Sequence, residues 1–133
     1  MTRSAAPPQI EPTIRTVPMP ADANANGDIF GGWVLSQMDI AGGVIANERA
    51  AGRVVTVAVE AMRFHKPIAI GDLVSLYAKI LKTGTTSISV HVETWARRRS
   101  GQEDVMVTEG IYVYVAIDDD SQPRPIPKST DKN

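Results

Sequence analysis

No cysteine occurs anywhere in the chain, which excludes disulfides, thiolate nucleophiles and cysteine-based metal sites, and fits a reducing compartment. There is no excess of basic charge. The 14 Lys and Arg stand against 15 Asp and Glu, for a net charge of −1, so the basic face of a non-specific nucleic-acid binder is missing. No apolar run approaches the ~20 residues of a membrane span. The opening "MTRSAAPPQIEP" has no apolar stretch of signal-peptide length, so the expectation is a cytoplasmic protein with no membrane partner. Internal repeats and linkers are also lacking, and nothing calls for a second domain.

What is present has an ordinary globular balance, with 43% hydrophobic and 22% charged residues in a chain of 133, enough to bury one core. Residues 1–12 and 121–133 are rich in Pro, Ser and charge and are expected to be mobile or to lie on the surface. A single domain is expected over residues 13–120.

Within it, Val34, Met38, Ala41 and Val44 or Ile45 recur at helical spacing, which predicts a helix over residues 32–49 with a buried stripe. Gly52 is a plausible stop just past its end. Gly42 and Gly43, inside the helix, each cost about 1 kcal/mol relative to Ala, so close approach of another backbone is expected there. Beyond the helix the period changes to two. "VVTVAVEAMRF" would set Val55, Val57, Val59 and Ala61 on one face and Thr56, Ala58, Glu60 and Met62 on the other, as in a strand. "DLVSLYAKIL", "TSISVHVETWA" and "VMVTEGIYVYVAI" repeat the alternation. With a short strand at residues 14–17, the order becomes strand, long helix and four strands in meander. The economical packing lays the helix on one face of an antiparallel sheet.

The stretch "DANANGDIFGGWVLSQMDIAGG" carries the candidate chemistry. Asp39 follows Met38 by about 100° around the helix, at the flank of the buried stripe, where it either borders a cleft or is simply solvated. Gly31 and Gly32 put two bare backbone N–H groups in the expected first helical turn. Such donors lack intrahelical partners and polarise a docked carbonyl, although a glycine-rich turn into the helix is an equal reading. Asn24 and Asn26, with Asp22 and Gly27, suit a turn, and an Asn amide also holds water or a carbonyl. Ser36 lacks a nucleophile elbow. His65 and His91 have no ligand spacing, so no metal site is expected. Arg97, Arg98 and Arg99 mark a hairpin end that could also meet phosphate.

Residues 19–43, "MPADANANGDIFGGWVLSQMDIAGG", resemble the signature of the YciA-type acyl-CoA thioesterases of the hotdog fold. "GRVVTVAVEAMRFHKPIAIGDLV" and "KTGTTSISVHVETW" extend the similarity over residues 16–117. The resemblance implies an α+β hotdog fold, one long central helix wrapped by a five- to six-stranded antiparallel sheet. It further implies hydrolysis of acyl-CoA thioesters without a cofactor, a homodimer as the minimal active unit, and a hexamer made as a trimer of dimers. Carried over to this chain, the helix acid is Asp39, the assisting loop asparagine of the neighbouring subunit is Asn24, and the carbonyl-polarising amides are those of Gly31 and Gly32. Gly42 and Gly43 would admit the partner.

For the coenzyme, backbone groups of Val55, Thr56, Val57 and Ala58 are expected to meet the pantetheine. Arg53, Lys66 and the turn Gly84, Thr85, Thr86 and Ser87 are expected near the phosphates. Two alternatives remain: a hotdog hydratase or dehydratase acting on acyl thioesters, and a non-catalytic acyl-CoA-binding regulatory module.

Overall fold

The change of period near Gly52 is a change of element. In the computed structural model, which describes residues 6–129, α1 runs over Gly31–Ala50 and β2 over Val54–Phe64. Ala51 takes the left-handed conformation at φ 55° and the Gly52 N–H bonds the Asn47 carbonyl at 3.2 Å, so the turn that closes the helix is built on an alanine followed by the expected glycine. The remaining strands are β1 (Ile14–Thr16), β3 (Leu73–Thr83), β4 (Ser87–Arg97) and β5 (Asp104–Ala116). Among the described residues no helix is long and apolar enough to cross a membrane.

All five strands form one antiparallel sheet in the order β1-β3-β4-β5-β2, with α1 packed on one face. The expected four-strand meander therefore holds only for β3, β4 and β5. β2 pairs with β5 and lies at the far edge. The reason is the connection over residues 65–72, too long for a tight hairpin. It crosses the end of the sheet, where Ile68 is buried and its carbonyl accepts the Ile29 N–H at 2.8 Å.

The helix buries Val34, Met38, Ala41, Gly42, Ala46 and Ala50 against Leu76, Ile88, Val90, Val92, Tyr112 and Tyr114 of the sheet. The stripe begins as expected, then drifts toward Gly42 and Ala46, following the twist of the sheet beneath it. Val44 is left 43% exposed and Ile40 52%.

β2 departs from simple alternation. Register shifts fall between Thr56 and Ala58 and between Glu60 and Arg63, and each inserted residue flips the side chains that follow. Thr56 and Val59 pair with Tyr114 and Tyr112 on the helix side, whereas Val55 and Ala58 pair with Val115 and Val113 on the outer side. The expected split of this strand into two uninterrupted faces is thus corrected. The described part of the C-terminal tail lies on the surface but is tied down: Arg124 N–H bonds Ala116 O at 2.9 Å and Ile126 N–H bonds Thr85 O at 2.8 Å. Residues 1–5 and 130–133 of the two terminal segments fall outside the described residues.

Candidate active site

The side chains that could do chemistry fall into two groups on α1. The first gathers at the helix start. Asn24 accepts the N–H groups of Asn26 at 2.9 Å and Asp28 at 3.2 Å on Oδ1, which closes the expected turn and leaves its amide nitrogen free to donate outward. Phe30 N–H bonds Asp22 O at 2.9 Å and folds that turn back onto the helix. Phe30 is the N-cap and supplies no side-chain acceptor. The N–H groups of Gly31 and Gly32 are therefore unfilled donors at the positive end of the helix dipole. Both glycines are exposed, with the Phe64 ring beside Gly31.

The second group surrounds Asp39. The Thr56 hydroxyl donates to Asp39 Oδ1 at 2.7 Å, and the Tyr114 hydroxyl lies 3.1 Å from the same oxygen and 2.8 Å from the Asp39 carbonyl oxygen. Oδ2 has no protein partner among the described residues. Burial, reinforced by the nearby Asp39 charge, pushes the Tyr114 phenol far above its ordinary value and the Tyr112 phenol up to about 12. Both remain neutral donors at working pH. Tyr112 gives its proton to the Leu35 carbonyl at 2.8 Å. Two strand positions therefore match a helical step of four, since 6–7 Å of strand equals about four residues of helix rise.

These two groups are not one site within a single chain. Asp39 lies eight residues past Gly31, about 12 Å along the axis at 1.5 Å per residue, so the Gly31 and Gly32 amides cannot address a carbonyl that Asp39 of the same chain attacks. Within the chain, Gly42 has a different close neighbour from the backbone expected. A Cβ at Gly42 would run into the Tyr114 hydroxyl of its own chain. The close neighbour at this position is a side chain of the sheet, whereas Gly43 only reaches ordinary contact with the same ring, at 3.7 Å.

The residues expected at the coenzyme divide as well. Arg53 immediately precedes β2, and its carbonyl accepts the Ile117 N–H at 3.0 Å. The turn holding Gly84, Thr85, Thr86 and Ser87 lies at the same end of the sheet, since Ser87 and Val55 both pair with Val115 and Ala116 N–H bonds Thr86 O at 2.9 Å. Lys66 lies past the other end of β2, bonded to Val107 O at 3.2 Å. In one chain it does not join that group. Val57 occupies the first bulge, and Thr56 gives its hydroxyl to Asp39, a use that its backbone assignment did not anticipate.

The other candidates serve the fold. Arg97 pairs with Asp104 at the expected hairpin end, and Arg98 with the buried Asp72 at 2.6 Å. His65 and His91 both meet Glu109, at 2.8 and 3.3 Å, away from Asp39. Sequence reasoning missed Tyr112 and Tyr114. Their signal was present: two tyrosines two apart in a strand place two hydroxyls on one face.

The chain is similar to known proteins in sequence and fold. The thioesterase superfamily profile matches residues 26–101. The acyl-CoA thioester hydrolase YciA of Salmonella typhimurium is 52% identical over 130 residues, 96% of this chain and 98% of that protein. Among solved structures, a hexameric thioesterase from Yersinia pestis is 52% identical with a TM-score of 0.87, over 92% of this chain and 99% of that one. A hexameric hotdog-fold thioesterase of Campylobacter jejuni is 42% identical with a TM-score of 0.84, over 88% and 90%.

Proposed function

The chain belongs to the thioesterase superfamily, among its YciA-type acyl-CoA thioester hydrolases, and from that premise we propose that it hydrolyses acyl-CoA at a site shared between two subunits of a hexamer. The observation that carries the reading is the Asp39 carboxylate, with Oδ1 held by Thr56 and Tyr114 and Oδ2 open. Asp39 either takes a proton from a water that adds to the thioester carbonyl, or attacks that carbon itself to give a mixed anhydride that water then opens. In both routes the carbon–sulfur bond breaks and the coenzyme thiolate leaves and is protonated.

The missing electrophilic half comes from a second subunit. β2 is an edge strand, with Val57 55% and Val59 49% exposed, and such an edge invites pairing. Antiparallel pairing of two β2 strands about a two-fold axis near Val59 would bring Thr56 and Asp39 of one subunit toward Phe64, Gly31, Gly32 and Asn24 of its partner. The same operation carries Lys66 of one subunit toward Arg53 of the other. It offers one basic end for the coenzyme phosphates, beside the turn at Gly84, Thr85, Thr86 and Ser87. The Val55, Thr56, Val57 and Ala58 backbone then lies along the path of the pantetheine. Hydrolysis is favoured over hydration because both histidines are bound to Glu109, away from Asp39.

Thiol release from acyl-CoA, followed with a chromogenic disulfide reagent, tests the proposal. Thiol release by the wild type and its near-complete loss in Asp39→Asn are the expected results. Full kcat in Asp39→Asn would remove the catalytic assignment. Conversion of an enoyl-CoA to its hydroxyacyl product without thiol would favour the hydratase, and tight acyl-CoA binding without turnover the regulatory module.

A further inference from the structure

A half-exposed carboxylate on a helix flank samples several rotamers unless something ties it. Asp39 is tied from below. The Tyr114 hydroxyl lies 2.8 Å from its carbonyl oxygen and 3.1 Å from Oδ1. A phenol has one proton, so these two acceptors share it, and one oxygen fixes both the main chain and the side chain of the same residue. This reach depends on Gly42. A Cβ there would run into the Tyr114 hydroxyl and stand 3.1 Å from Cε1 and Cζ. The ring itself is almost fully buried and stacks on Tyr112, with centroids 6.4 Å apart.

The structure assigns Tyr114 as a positioning residue for Asp39: its hydroxyl, lodged in the gap that Gly42 leaves, holds Oδ1 inward so that Oδ2 is the oxygen presented to the substrate. The inference rests on Asp39 being the reacting carboxylate. Tyr114 does not touch the substrate, and its effect on the chemistry passes through Asp39. Its raised pKa keeps it a donor throughout the working range.

Tyr112 supplies the control. It makes the same kind of bond to the helix, from its hydroxyl to the Leu35 carbonyl at 2.8 Å, and not to the Asp39 carboxylate. If the two hydroxyls only anchored the helix, Tyr112→Phe and Tyr114→Phe would behave alike. The expected results differ. Tyr112→Phe keeps kcat within about two-fold, while Tyr114→Phe loses roughly ten- to a hundred-fold in kcat, the scale of a slightly misplaced catalytic group. KM should stay within about two-fold, because binding contacts are untouched.

Titration with a non-hydrolysable acyl-CoA thioether checks that the sites are intact, with stoichiometry and affinity unchanged in Tyr114→Phe. Gly42→Ala keeps both functional groups but displaces the hydroxyl. It should lose kcat similarly, and adding it to Tyr114→Phe should cost little more, since both act on one contact. Wild-type kcat in Tyr114→Phe, equal losses in the two tyrosine variants, or a loss matched by missing thioether sites would each overturn the inference. Should Asp39→Asn prove fully active, the proposed function fails and this inference with it. Should Asp39→Asn be inactive and Tyr114→Phe fully active, only this inference fails.

Discussion

The hydroxyl of Tyr114 lies where a side chain at Gly42 would begin. That relationship makes the two neighbouring helix glycines unequal. Overpacking costs about 1–3 kcal/mol, and the helix propensity of Ala returns about 1 kcal/mol, so Gly42→Ala should lower the melting temperature by a few degrees. At Gly43 the added methyl reaches only ordinary contact with the ring, at 3.7 Å. Gly43→Ala should melt at or above the wild type. Thermal unfolding followed by circular dichroism compares them, and a Gly42→Ala protein more stable than the wild type would refute the clash.

Stability should also fall on the alkaline side. The Tyr112 phenol is raised from 10.0 to about 12 by burial and then by the Asp39 charge. Below pH 10 both folded and unfolded chains keep that proton, and its contribution is complete. As the pH rises from 10 through 12 the unfolded chain ionises first, and the contribution is lost. In Tyr112→Phe the decline above pH 10 should be shallower. Parallel urea midpoints for the two proteins between pH 9 and pH 11.5 would show that this phenol plays no part.

The open edge of β2 predicts dependence on assembly. Val57 is the most exposed of its valines at 55%, and a lysine on an edge strand opposes pairing. If the proposed hexamer forms, Val57→Lys should shift it to smaller species and lose activity in step, as read by light scattering after size-exclusion chromatography. A fully active monomer would sink the shared site.

Complementation tests the same idea at the residues themselves. Asn24→Ala and Asp39→Ala subunits are each expected to be inactive. After dissociation and reassembly together, half the dimers are mixed and each of those holds one complete site, so roughly a quarter of the activity should return in a two-fold arrangement. Reassembly confirmed by mass without any recovered turnover would mean that Asn24 and Asp39 do not serve one site across subunits.

Much of the molecule was legible in the chain because it is set by local pattern. The helix and the four long strands follow from the periods of apolar residues, with limits within one or two residues of those observed, and β2 begins and ends where "VVTVAVEAMRF" does. The loop of Asn24, the bare amides of Gly31 and Gly32, and Asp39 on the flank of the stripe were readable for the same reason. Each depends on residues within a turn or two of itself.

What only the tertiary structure decided depends on contacts between residues far apart. The place of β2 beside β5 follows from how the 65–72 connection packs under Ile29, and a long connection carries no signal of which edge it reaches. The bulge at Val57 that sets Val59, and not Ala58, on the helix side with Thr56 arises from pairing with β5, and strand alternation alone cannot reveal an inserted residue. Gly42 was visible as an anomaly, but its cause lies 72 positions later in Tyr114. The separation of Asp39 from the helix-start amides is a matter of helix rise. Sequence named the candidate residues, and their separation along one helix, about 12 Å between Gly31 and Asp39 at 1.5 Å per residue, is why the proposed site draws on two chains.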